Sequence, residues 1–155
     1  MTTETSSMDR VATLTRVSAD PELFELMAPE EPASPIRLFA SYSPANGETY
    51  WPRRRRCPVT RQPVEDVVLE ARGTIWSWTY VFLPWPLPTA GPSPNSGYGA
   101  AVVELPEGPR VLGILIGDNG DWKIGDQVEG VAWDLMEGDD VMKCIPAFRV
   151  VESEV

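Results

Sequence analysis

The chain has 155 residues, of which 43% are hydrophobic, and it carries a formal net charge of −10 at pH 7. This length and composition allow one domain with a sizeable core, and the negative charge argues against a general affinity for nucleic acids. The sequence contains no histidine, which removes the commonest general base and metal ligand and argues against a self-sufficient hydrolase or metalloenzyme.

The N-terminal residues 1–18 are polar and lack apolar periodicity, which predicts a mobile arm. No apolar run in the sequence is long enough to span a membrane, and the N-terminus lacks the pattern of a secretory signal. We therefore expect a cytoplasmic protein without a membrane contact.

Residues 19–35 carry a helix-start signal followed by a proline-rich stretch. Asp20 can cap a helix and Pro21 suits its first position. The residues that supply a short apolar face are Leu23, Phe24, Leu26 and Met27. Three prolines between residues 29 and 35 then interrupt any helix. This part of the sequence predicts a short helix and a linker.

The remainder of the chain is typical of strands. A short element over residues 36–42 leads into a turn at Asn46-Gly47. Residues 74–82 alternate two sets of side chains, which predicts two strand faces: Ile75, Ser77, Thr79 and Val81 on one, and Trp76, Trp78, Tyr80 and Phe82 on the other. Further strands are predicted over residues 98–105, 110–116, 127–133 and 145–151. Such short strands favour a closed all-β barrel, because closure removes exposed strand edges.

Several segments, in consistent order, resemble the DUF35 family, which pairs a rubredoxin-like zinc ribbon with an OB-fold. The resemblance rests on residues 51–58 (WPRRRRCP), 73–79 (GTIWSWT), 101–112 (AVVELPEGPRVL), 124–128 (IGDQV) and 146–149 (PAFR). It implies a small OB-fold barrel over residues 67–155, preceded by a ribbon-like hairpin over residues 36–66. The first 35 residues lie outside the clearest match.

The ribbon departs from the family at its metal ligands. A zinc ribbon needs two Cys-x-x-Cys knuckles, because tetrahedral zinc takes four such ligands. The resemblance places Ser43 and Asn46 at the first knuckle, and Cys57 and Thr60 at the second. One thiolate does not hold a structural zinc, so we predict a degenerate ribbon without metal. The second cysteine, Cys144, is expected to be a small buried hydrophobe.

The resemblance implies a non-catalytic accessory subunit. DUF35 proteins associate with thiolase-fold enzymes or MaoC-like hydratases that act on CoA thioesters, and the catalytic residues lie in the partner. We therefore expect a hetero-oligomer, no catalytic residue and no cofactor bound by this chain alone, although the complex could share a contact with coenzyme A. Two alternatives stay open: a single-stranded nucleic-acid-binding OB-fold module, and a small stand-alone enzyme that uses tyrosine and carboxylate groups.

The most unusual feature is an arginine cluster made of Arg53, Arg54, Arg55, Arg56 and Arg61. Such a run can be a solvated loop, or it can pair with the acidic surface of its own chain. It can also bind an anion, because guanidinium groups suit the phosphates of coenzyme A. An acidic patch on a partner would suit it equally, whereas the net charge opposes a nucleic acid.

A proline-rich apolar loop is the second candidate for a partner contact. Trp85 lies in the segment PWPLP, where its ring has little core of its own to enter, and exposed aromatic residues commonly anchor interfaces. Together with Leu87 and with Leu23, Phe24 and Met27 of the predicted helix, it forms the predicted partner interface.

Overall fold

The computed structural model describes residues 14–82, 97–137 and 140–151. Within these ranges the fold is all-β, as predicted, with ten strands and no helix, and so none that could cross a membrane. The strands are β1 (Thr15–Ser18), β2 (Phe24–Leu26), β3 (Ile36–Ser43), β4 (Glu48–Tyr50), β5 (Glu65–Glu70), β6 (Arg72–Val81), β7 (Tyr98–Glu104), β8 (Arg110–Leu115), β9 (Gln127–Glu137) and β10 (Val141–Val150).

The last five strands close into a barrel. Strands β6, β7 and β8 form an antiparallel meander, β8 pairs with β10 in parallel, and β10 pairs antiparallel with β9. Strand β9 then returns to pair with the start of β6, which closes the circuit. This order, with one parallel pair between the third and fifth barrel strands, is that of an OB-fold.

The barrel interior is filled by alternate side chains of its strands. Each barrel strand contributes a fully buried apolar residue to one continuous core: Ile75, Val103, Val111, Val128 and Phe148. Trp122, from the segment between β8 and β9, packs into the same core, where its indole N–H donates to the carbonyl of Ile116 at 3.2 Å. Burial of these side chains supplies the main driving force for folding.

A second sheet precedes the barrel. Its central strand β3 pairs with β2 and β4 along one edge and with β5 along the other. Side chains of this sheet, among them Leu38 and Leu69, belong to the barrel core, and β5 leads into β6 with only Ala71 between them.

We call the loops at one end of this sheet the knuckles: residues 43–46 form the first and residues 57–60 the second.

The predicted helix at Asp20 is wrong. The Asp20 carboxylate accepts the backbone N–H of Glu22 at 3.2 Å, and its carbonyl accepts the N–H of Leu23 at 3.0 Å. These bonds make a turn, which uses the same side-chain acceptor that caps a helix. The chain then continues as β2, because pairing with β3 satisfies its backbone and buries Phe24.

The mobile arm predicted over residues 1–18 is wrong for its last part. Thr15–Ser18 is strand β1, which pairs in parallel with Val141 to Cys144 of β10. Arg16 of this strand is 2% exposed and forms a two-pronged ion pair with Asp134, with N–O distances of 2.9 and 3.0 Å. Residues 1–13 lie outside the described part of the chain.

The predicted faces of β6 are wrong beyond Ile75. Ile75 pairs with Val103, but Ser77 already pairs with Val102, so Trp76 is the extra residue of a β-bulge. A bulge reverses the alternation of the side chains that follow it. As a result Trp78 packs against the core, whereas Trp76 is 49% exposed.

Candidate functional site

The four residues that the sequence analysis placed at metal-ligand positions lie together at the end of the second sheet. Ser43 ends β3, Asn46 lies in the turn before β4, and Cys57 and Thr60 lie in the second knuckle. The Cys57 sulfur accepts the side-chain amide N–H of Asn46 and the backbone N–H of Thr60, each at 3.4 Å. Among the described residues, no group of three or more cysteine, aspartate or glutamate side chains could hold a metal ion.

Cys57 is fully buried, yet its surroundings favour the thiolate. Burial alone raises the pKa of this thiol. The nearby Ser43 and Thr60 hydroxyls and the backbone N–H groups of Thr60 and Val59 outweigh that effect, and they lower the pKa to about 6. A thiolate is therefore the main form of Cys57 at neutral pH.

This pKa predicts a pH-dependent stability. The folded pKa of Cys57 lies below its ordinary value near 9, so between these values the unfolded state holds a proton that the folded state has released. The contribution of Cys57 to the free energy of unfolding should rise from pH 6 to 9, and it should be lost as the pH falls through 6. Urea unfolding of the wild type and of Cys57→Ser at several pH values tests this. The difference between the two proteins should grow with pH; a constant difference would contradict the assignment.

The structure divides the arginine cluster into two groups. The guanidinium of Arg53 lies 5.2 Å from the ring centroid of Phe39, donates to the carbonyl of Glu22 at 3.3 Å and lies 3.9 Å from the carboxylate of Asp66. Arg56 donates to the carbonyl of Arg61 at 3.2 Å. These two arginines tie the second knuckle to the chain itself.

The other three arginines face solvent. Among the described residues, the side chains of Arg54, Arg55 and Arg61 have no ion pair, and all three residues are exposed. The backbone of Arg54 is nevertheless fixed, because its N–H and its carbonyl both bond to the Ser41 hydroxyl, at 2.8 and 3.2 Å. We call Arg54, Arg55 and Arg61 the arginine patch; unlike Arg53 and Arg56, their side chains make no hydrogen bond or ion pair among the described residues.

The predicted partner interface is only partly accessible. Phe24 is 1% exposed and belongs to the core, so its assignment to the interface is wrong; pairing of β2 with β3 turns its ring inward. Leu23 is half-buried and packs against the same core, whereas Met27 is 50% exposed. Trp85 and Leu87 lie outside the described residues.

An apolar surface that the sequence analysis missed lies on the outside of the barrel. Leu112 on β8 is 68% exposed, it pairs with Val102 on β7, and the bulged Trp76 lies beside them on β6. The guanidinium of Arg110 lies 4.0 Å from the ring centroid of Trp76. We call Trp76, Val102 and Leu112 the barrel face. The sequence could have indicated that Leu112 faces outward, because it alternates with the inward-facing Val111. It does not indicate the bulge that brings Trp76 to the same surface.

The fold defines a class: an OB-fold barrel preceded by a second β-sheet. The protein-family model for the C-terminal OB-fold domain of ChsH2 matches residues 66–134. A chain of the solved Ltp2-ChsH2(DUF35) aldolase is similar at 25% sequence identity and a TM-score of 0.54, over 74% of this chain and 84% of that one. None of the curated proteins matches. The OB-fold domain of this chain is therefore similar to that of ChsH2, a DUF35 protein.

Proposed function

We propose that this chain is a non-catalytic accessory subunit of an enzyme that acts on acyl-CoA thioesters. The observation that carries the proposal is its similarity to a chain of the Ltp2-ChsH2(DUF35) aldolase over most of both lengths. The partner we expect is a thiolase-fold enzyme or a MaoC-like hydratase, which supplies the catalytic residues.

The surface of the chain supports such docking. The barrel face exposes an indole ring on β6 and a leucine side chain on β8, with Val102 of β7 between them. An exposed apolar cluster with an adjacent arginine is typical of the centre of a protein interface. The ion pair between Arg110 and Glu104 at 3.2 Å lies at its margin. The barrel face could therefore bury its apolar side chains in a partner while the charged pair stays at the rim.

The arginine patch supports a role at the CoA site of the complex. Arg54, Arg55 and Arg61 are exposed, and the backbone of Arg54 and of Arg61 is anchored by Ser41 and Cys57. Little backbone order must therefore be gained when an anion binds. Guanidinium groups form two-pronged bonds to phosphates. We propose that they bind the phosphates of coenzyme A while the partner holds the acyl group.

Replacement of Arg54, Arg55 and Arg61 by glutamine in the reconstituted complex tests this role. If the patch binds CoA phosphates, assembly should persist and the KM for the acyl-CoA should rise about tenfold or more, because each charged hydrogen bond is worth about 1.5–3 kcal/mol. The difference in KM between the variant and the wild type should shrink as salt is added, because salt weakens the wild-type contact with the phosphates.

A matched control replaces Arg37, Arg72 and Arg149 by glutamine, which changes the net charge by the same amount elsewhere on the chain. This control should leave KM unchanged. Loss of assembly in the patch variant would instead mean that the three arginines bind acidic residues of the partner. An unchanged KM with intact assembly would remove the patch from the site altogether.

A further inference from the structure

The two cysteines of this chain are both fully buried, but their surroundings are opposite. The Cys144 thiol faces acceptors: the Asp134 carboxylate at 3.4 Å and the Met142 carbonyl at 3.8 Å. Cys57 faces donors instead, namely the Asn46 amide and the Thr60 backbone N–H. A buried thiol that only fills space needs neither acceptors nor donors around it. The donors around Cys57 therefore require a separate explanation.

These donors come from both knuckles. Asn46 belongs to the first knuckle and Thr60 to the second, and the sulfur lies between them at 3.4 Å from each nitrogen. The Tyr50 hydroxyl is 3.9 Å from the same sulfur and accepts the Asn46 amide at 2.9 Å. The contacts therefore form one connected cluster that spans the two loops.

Ser43 adds an independent observation from the first knuckle. Its hydroxyl oxygen is fully buried and has no hydrogen bond of ordinary geometry among the described residues. Such a group is costly to bury unless an acceptor is close. The first knuckle therefore presents one buried hydroxyl without a partner in the described part of the chain, beside the Asn46 amide, which does reach the sulfur.

We infer that the sulfur of Cys57 replaces the metal ion of a zinc ribbon as the atom that joins the two knuckles. In a zinc site a cation draws four ligand atoms together. Here the polarity is reversed, because an electron-rich sulfur draws together the donors of Asn46 and Thr60, one from each knuckle. Loss of the metal is thereby matched by a substitute contact at the same place in the fold.

This contact also positions the arginine patch, a step that rests on the proposed function. The backbone N–H of Cys57 donates to the carbonyl of Gln62, and the N–H of Arg61 donates to the carbonyl of Cys57, both at 2.9 Å. Arg56 closes the same loop through the Arg61 carbonyl. A sulfur that holds the knuckles together therefore also fixes the backbone that carries Arg61.

Amide hydrogen exchange on the isolated chain tests the inference without any partner. In Cys57→Ala the Thr60 amide loses its acceptor, and its exchange should accelerate about tenfold, as expected for one lost hydrogen bond, while the barrel amide of Val103 should be unaffected. Asn46→Ala is a milder variant that keeps the sulfur and should accelerate the same amide less. Unchanged Thr60 exchange in Cys57→Ala, or equal acceleration at Val103, would overturn the inference.

The converse experiment restores the metal. In the variant Ser43→Cys, Asn46→Cys, Thr60→Cys, four thiolates should converge on one point and bind one zinc per chain, with the tetrahedral spectrum of a cobalt substitute, whereas the wild type should bind none. Zinc should also return the Thr60 amide to slow exchange. Failure of the variant to bind zinc, or zinc in the wild type, would show that the sulfur has not taken the place of the metal. Neither result depends on the partner, so a failure here is distinct from a failure of the proposed function.

Discussion

Replacement of Arg16 by methionine should lower the free energy of unfolding by about 3 kcal/mol, a large part of the stability of a domain this size. Arg16 is 2% exposed, and its ion pair with Asp134 spans 118 residues of sequence. Methionine preserves much of the side-chain volume but leaves the Asp134 carboxylate, which is 18% exposed, without its cation. An uncompensated charge in that position is costly because little water reaches it.

Two further variants isolate the cause of this loss. Arg72→Met removes an exposed ion pair to Glu129 and should cost less than about 1 kcal/mol. Arg16→Met combined with Asp134→Leu removes both charges, so it should recover most of the lost stability. Urea unfolding of the three proteins decides the matter. An Arg16→Met cost no greater than that of Arg72→Met would show that this ion pair does not hold β1 to the barrel.

Phe148→Ala should destabilise the barrel by about 3–5 kcal/mol. The ring is fully buried, and Phe148 lies in the parallel pair of β10 with β8. Its carbonyl also accepts the N–H of Ile116 at 2.9 Å. Loss of the ring leaves a cavity that the surrounding strands can fill only in part, because they are fixed by their hydrogen bonds.

Gly113 provides a matched test of the same contact. A Cβ at this position would lie 2.6 and 2.7 Å from two ring carbons of Phe148, so Gly113→Ala should be destabilising in the wild type by about 1–3 kcal/mol. In the Phe148→Ala background the same change should cost nearly nothing, since the ring is absent. A double-mutant cycle by urea unfolding measures this coupling; additive costs would contradict the packing described.

The strands of the barrel could be predicted because their signals are local. Residues 98–105 and 110–116 alternate apolar and other side chains between turns rich in proline and glycine, and the structure places β7 and β8 there. Burial of one face fixes such strands in register. The resemblance to a family then supplied their order around the barrel, which local patterns do not contain.

The errors came from interactions that are distant in sequence or that local signals do not distinguish. The segment of β1 is polar, and its place depends on β10 and on Asp134, far along the chain. Asp20 offers one acceptor that serves a helix or a turn equally well, and only the pairing of β2 with β3 decides between them. The bulge at Trp76 depends on the register of β7.

The candidate site was predicted in its residue types but not in its division of roles. The sequence presents five arginines as one group, yet Arg53 and Arg56 bind their own chain, and only the structure shows which three are free of such contacts. The resemblance supplied the four metal-ligand positions, which stay a prediction. That Cys57 gathers donors from both knuckles could not be predicted, because it depends on where two separate loops meet.

The central claim, that the chain is an accessory subunit of an acyl-CoA-processing enzyme, is tested most directly by co-expression with a thiolase-fold or hydratase-fold enzyme of its native host. Size-exclusion chromatography with light scattering, followed by an acyl-CoA turnover assay, should show one hetero-oligomer that contains both chains. The isolated chain should have no turnover, and the enzyme without it should be less active or less stable. Elution of the chain as a separate species, with a partner equally active and stable in its absence, would contradict the account.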